Sequence, residues 1–130
     1  MDELVTLISE KVGIDTALAR RAVGIVLAFL QREGPENEVN ALVAALPGAD
    51  QAIAAAGSSS QGGGLMGALG SLMGGSGGVM ALGSELTAAG LSMGQMQTLG
   101  HELFAYGREK AGEDVMGAII GEIPGLSQFV

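Results

Sequence analysis

Apolar residues recur along this chain at intervals of three and four, and Gly or Pro interrupts each run, so the pattern predicts a series of helices. Leu4, Val5, Ile8 and Val12 share one face of a first helix that Asp2 is placed to cap and Gly13 stops. Asp15 caps a longer helix reaching about Glu33. Its main stripe is Leu18, Ala22, Ile25, Val26 and Phe29, but Val23, Leu27 and Leu30 make the opposite side apolar too. A helix apolar nearly all round is a central one, covered on several sides. Gly34-Pro35 ends it, and Pro35 suits the first turn of a third helix, where a missing N–H costs nothing. Glu36 and Glu38 then sit at the positive end of that helix dipole, Val39, Leu42, Val43 and Leu46 mark its buried face, and Pro47-Gly48 closes it. A short helix is expected from Asp50 to Ala56.

The second half reads in the same order. A helix starting near Val79 carries Leu82, Leu86 and Ala89 before Gly90, and Ser92 caps a long helix to about Ala111 whose stripe includes Met96, Leu99, Leu103 and Tyr106. Gly112-Glu113-Asp114 opens another acidic first turn, Ile119, Ile120 and Ile123 form its buried face, and Pro124-Gly125 stops it. The last residues, Phe129-Val130, fall early in what would be a fourth helix. No stretch has the β-branched alternation of a strand, so the expected fold class is all-α.

These parallels have one register. Sliding the chain by 77 positions lays residues 13–53 on 90–130 without a gap. Only seven of the 41 pairs are identical, among them Gly13/Gly90, Pro47/Pro124, Gly48/Gly125 and Gln51/Gln128. Shared apolar character at Ala22/Leu99, Val26/Leu103, Leu27/Phe104, Leu42/Ile119 and Leu46/Ile123 extends the match, and the ungapped Pro-Gly-x-x-Gln ending exceeds what helical periodicity alone requires. The expectation is one domain over residues 1–130, a compact bundle of two pseudo-repeated units of three to four helices, 1–56 and 79–130, joined by a Gly-rich connector over 57–78.

From Gln51 to Ser84 there is no charged residue, and eleven glycines fall between Gly57 and Gly83. Gly57 to Gly64 reads as a linker, because Gly and Ser lose much freedom on ordering and return little buried surface. Leu65, Met66, Leu69, Leu72 and Met73 nevertheless fall at helical spacing, which predicts a short apolar helix and makes these five the candidate interaction surface.

The turns Gly13-Ile14-Asp15 and Gly90-Leu91-Ser92, with the endings Leu46-Pro47-Gly48 and Ile123-Pro124-Gly125, resemble those of small bacterial all-helical domains of unknown function. The resemblance covers both units but not the Gly-rich middle. It implies a helical fold and a bacterial source, and it carries no activity and no functional residue.

Composition narrows the function classes. Fourteen acidic against six basic residues give a formal charge of −8, which repels phosphate backbones and anionic lipid surfaces. With no Trp, one Tyr and three Phe there is no platform for stacking bases, so nucleic-acid binding is disfavoured. The absence of Cys removes thiol catalysis, thiolate metal sites and disulfides together. Met1-Asp2-Glu3 is an acidic start unlike the basic opening of a secretory signal, and a cytoplasmic location is expected. The uncharged middle is too interrupted by Gly for an integral membrane segment.

Candidate chemistry is sparse. His101 neighbours Glu102, with Tyr106 one turn on, the company a general base needs, but no nucleophile completes a site. Met93, Met96 and His101 offer thioethers and an imidazole of the kind that suits Cu(I), against the plainer role of Met as a filler of irregular cores. Gly74-Gly75-Ser76-Gly77-Gly78 lacks the preceding strand and following Lys of a phosphate loop. No catalytic, metal or cofactor-binding residue is therefore assigned, and no cofactor is expected. The leading expectation is a non-enzymatic acidic interaction module, pairing with itself as a homo-oligomer or with another protein. The alternative is a carrier of a small apolar ligand held between the two units.

Overall fold

A computed structural model gives the fold, and it describes residues 2–59, 78–123 and 125–128. Seven α-helices and a 3-10 turn make up these residues, with no strand among them. They are α1 (Asp2–Val12), α2 (Thr16–Glu33), α3 (Glu36–Ala45), α4 (Ala49–Ser59), α5 (Gly78–Ala89), α6 (Met93–Ala111) and α7 (Glu113–Glu122), followed by the turn Leu126–Gln128. The fold class is all-α. No helix among the described residues is long and apolar enough to cross a membrane.

Helix ends follow from side chains and glycine. The Leu18 N–H donates to the Asp15 carboxylate at 2.7 Å and the Gln95 N–H to the Ser92 hydroxyl at 3.3 Å, so each long helix starts on a capping oxygen. Before each cap the chain reverses on a glycine with positive φ, Gly13 at 82° and Gly90 at 113°. There the Ile14 N–H reaches back to the Ser9 carbonyl at 3.1 Å, and the Leu91 N–H to the Leu86 carbonyl at 3.1 Å. These are the six-to-one bonds of a Schellman turn, which needs a residue free of a Cβ penalty in the left-handed region. Pro-Gly stops behave alike. Gly48 and Gly125 have φ of 86° and 85°, and the Ala49 and Leu126 N–H groups donate to the Leu46 and Ile123 carbonyls at 3.0 and 3.2 Å.

Two helix ends depart from the sequence expectations. Pro35 lies before α3 rather than inside its first turn, with φ −67° and its carbonyl accepting the first helical bond from the Val39 N–H at 2.9 Å. A fixed φ near that value serves either place, and the Gly34 N–H is already engaged with the Leu30 carbonyl at 2.7 Å to end α2. The fourth helix runs from Ala49 through Ser59 instead of stopping at Ala56, so Gly57, Ser58 and Ser59, expected to open the connector, continue the helix, glycine costing only about 1 kcal/mol there.

The core is the sum of the predicted stripes. Leu4, Val5, Ile8 and Val12 of α1 are buried, as are Ala22, Val23, Ile25, Val26, Leu27, Phe29 and Leu30 of α2. Each large aliphatic or aromatic side chain so placed stabilises the fold by roughly 1.5–3 kcal/mol. α2 is central, packed against α1, α3, α4 and α5 and most extensively against α4. α6 meets α1, α3 and α7, while α3 and α7 face each other. Thus the first helix of each half reaches across: α1 lies on α6, and α5 lies on α2.

The same 77-position shift relates the bounds themselves. It carries α3 onto α7 residue for residue, and α2 onto α6 but for one added residue at the C-terminal end of α6. Burial follows it at Ala19/Met96, Ala22/Leu99, Val23/Gly100, Val26/Leu103, Leu27/Phe104, Val39/Met116, Leu42/Ile119 and Leu46/Ile123. The predicted connector and its short helix lie largely outside the described residues.

Candidate functional site

The five side chains singled out from sequence, Leu65, Met66, Leu69, Leu72 and Met73, lie outside the described residues. His101 is exposed on α6, with Glu102 and Tyr106 half-buried beside it, and no hydrogen bond joins the three. The methionines do not converge with it. Met96 is in the core, where the Thr87 hydroxyl donates to its sulfur at 3.9 Å, while Met93 stands 76% exposed at the start of the helix. Among the described residues no three His, Asp or Glu side chains are grouped to hold a metal, and no polar or charged side chain is buried.

What the packing does assemble is a groove between α1 and α6. The two helices run antiparallel: the Gln95 side-chain amide, near the start of α6, donates to the Val12 carbonyl at the end of α1 at 3.5 Å. Toward the other end of the pair, Glu3, Thr6, Leu7 and Glu10 form one bank. These positions are three, four and seven apart and so share a helix face. Tyr106, Glu109 and Lys110 form the opposite bank, enclosing about 660 Å³ that opens to solvent. Leu7 and the Tyr106 ring supply apolar surface. Three carboxylates surround it against one ammonium, and that ammonium, Lys110 Nζ, sits 5.4 Å from the centre of the Tyr106 ring. A cation over an aromatic face is held by the ring quadrupole, worth about 0.5–1 kcal/mol where water has access.

A smaller groove of about 420 Å³ lies at the α2–α3 junction, lined by Gln31, Arg32, Gly34, Glu36, Val39 and Asn40. Its charges are balanced, and Arg32 is drawn toward α5 by Glu85 at 3.5 Å. The α1–α6 groove is different in kind, because its excess negative charge is left facing solvent.

No protein-family model, curated protein or solved structure matches this chain. Any function must therefore be read from the geometry. Sequence reading had Tyr106 in view but missed Glu3, Leu7, Glu10 and Glu109, because the two banks lie about a hundred residues apart in sequence and only the α1–α6 pairing joins them. The available signal was the charged and apolar alternation Glu3, Leu7, Glu10 on the side of α1 away from Leu4 and Ile8.

Proposed function

We propose that the protein is a non-enzymatic helical interaction module, built from two copies of one unit, that docks a lysine- or arginine-rich segment of another protein in the α1–α6 groove. The observation that carries the proposal is charge placement around an apolar floor: Glu3, Glu10 and Glu109 rim Leu7 and Tyr106, and Lys110 alone answers them. A cationic side chain entering there gains from three carboxylates while its aliphatic stem covers the floor. The formal charge of −8 adds long-range attraction for the same partner.

The two-copy reading is supported by the shared 77-position register of helix bounds, Schellman turns and Pro-Gly stops. It also locates the groove where the copies differ. The positions matching Glu3, Leu7, Glu10 and Glu109 are Met80, Ser84, Thr87 and Arg32, so the other copy carries no such rim. A ligand carrier has less support between the units, since a methyl added at Gly107 would already stand 2.9 Å from Met116 Sδ and 3.1 Å from Leu42 Cδ1.

Titration calorimetry with a synthetic Lys/Arg-rich amphipathic peptide tests the proposal. Binding should weaken about fivefold for each of Glu3→Gln, Glu10→Gln and Glu109→Gln, and should fall as salt is raised. A triple variant that binds the peptide as well as the native chain would remove the groove as the docking surface.

A further inference from the structure

Lys110, the one cation among the residues lining the α1–α6 groove, sits on a ring rather than against a carboxylate. Its Nζ lies 5.4 Å from the centre of the Tyr106 ring, one turn back on the same helix. Glu3, Glu10 and Glu109 line the same space, yet among the described residues none of the three forms an ion pair or a hydrogen bond. The ring contact is not part of the packing that the two long helices share. In their common register, buried Phe29 and exposed Glu33 of α2 stand in the places of Tyr106 and Lys110. Leaving the ring also costs Lys110 little, because it stays in the last turn of α6, where the free carbonyls of the helix end favour a positive charge.

We infer that Lys110 is an internal placeholder on the Tyr106 face, and that an arginine of the docked segment takes its seat and turns Lys110 out into solvent. The displacement rests on the docking of a cationic segment in this groove. A guanidinium suits the seat better than the ammonium it replaces. Its flat face stacks on the ring while the N–H groups at its edge donate to a carboxylate, whereas an ammonium is a compact charge with no such face. Lys110 therefore opposes the ligand, and its removal tightens binding where loss of a contact residue would weaken it. A cation over a solvent-accessible ring is worth a factor of about two to five in a binding constant, which sets the size of the effect.

The chain contains only two lysines, Lys11 and Lys110, so isotope-labelled lysine reads the displacement directly by NMR. The Tyr106 ring current shields the Lys110 ε-methylene protons while they lie over the ring, and Lys11, which does not line the groove, is the control. The probe is an unlabelled arginine-rich amphipathic peptide. As it saturates the chain, the Lys110 signal should move downfield to the position of Lys11. Calorimetry at a salt concentration that screens distant charge should show Lys110→Gln binding the peptide about two- to fivefold more tightly than the native chain. That gain should vanish in a Tyr106→Leu background, where there is no ring to vacate, and a peptide with lysine at every arginine should bind the native chain more weakly.

Saturable binding with the Lys110 signal unmoved overturns the displacement and leaves the docking groove standing. An equal gain from Lys110→Gln with and without the ring reduces Lys110 to like-charge repulsion, and it too overturns the displacement. Equal affinity for the arginine and lysine peptides overturns the arginine seat. Absence of binding by both the native chain and Lys110→Gln removes the docking groove itself, and the displacement with it.

Discussion

The long helices α2 and α6 begin on the same kind of cap, follow the same glycine turn and bury the same register of positions, yet their outer faces live in different surroundings. On α2 the positions Gly24, Ile25 and Phe29 are buried, and α4 packs along the helix. The matching positions on α6 are His101, Glu102 and Tyr106, which are exposed or half-buried, with the acid-rimmed groove beside Tyr106. One backbone design thus serves two ends. A helix whose third face is apolar needs a cover, whereas polar replacements at three positions free that face for a partner.

The largest test of this contrast is a pair of truncations at one register position. Phe29 is fully buried, so Phe29→Ala removes the whole ring from a close-packed site and should cost about 3–5 kcal/mol. Tyr106→Ala gives up a half-buried ring and the Lys110 contact, and about 1–1.5 kcal/mol is expected. Urea unfolding with an unchanged slope reads both. Equal losses would mean that the α6 face is as much core as the α2 face, and the contrast would fail.

A second pair probes how closely the helices pack at two glycines. A Cβ at Gly34 would lie 2.7 Å from the Leu30 carbonyl oxygen, a backbone atom that cannot yield, and 2.9 Å from Val39 Cγ2. Gly34→Ala should therefore cost about 1–3 kcal/mol. At Gly107 the nearest obstacles are Met116 Sδ at 2.9 Å and Cε at 3.0 Å, the end of a flexible side chain. Alanine also gains about 1 kcal/mol of helix propensity there, so Gly107→Ala should fall near neutral. If both are equally damaging, the meeting of α3, α6 and α7 is tighter than Met116 can relieve.

Much of this was legible in the residues. The stripe on α1, the all-round apolar character of α2, the caps Asp15 and Ser92 and the Pro-Gly stops are local, and the structure places them as their periodicity and turn chemistry require. The end of α4 is not legible, because Gly57, which ordinarily stops a helix, is carried inside this one as far as Ser59. The groove was not legible at all. Helical periodicity gives Glu3, Glu10 and Glu109 no common place until the antiparallel pairing of α1 with α6 brings them around Leu7 and Tyr106. Tertiary pairing of distant segments leaves no local mark, so periodicity finds faces and not what two faces enclose.

The smallest effects separate charge from hydrogen bonding at the two caps. Asp15 offers one carboxylate bond to the Leu18 N–H and a negative charge at the positive end of α2. Ser92 is neutral and shares a reciprocal box: its hydroxyl accepts from the Gln95 N–H while its own N–H donates to the Gln95 side chain at 2.9 Å. Asp15→Ala and Ser92→Ala should each cost about 1 kcal/mol. The loss at Ser92 should be the smaller, since alanine keeps the backbone N–H that Gln95 accepts from. Raising the salt should shrink the Asp15→Ala loss, because the charge–dipole part is screened, and leave that of Ser92→Ala unchanged. A salt-insensitive Asp15→Ala would show that both caps work through hydrogen bonds alone, making the two helix starts chemically equivalent and confining the divergence of α2 and α6 to their outer faces.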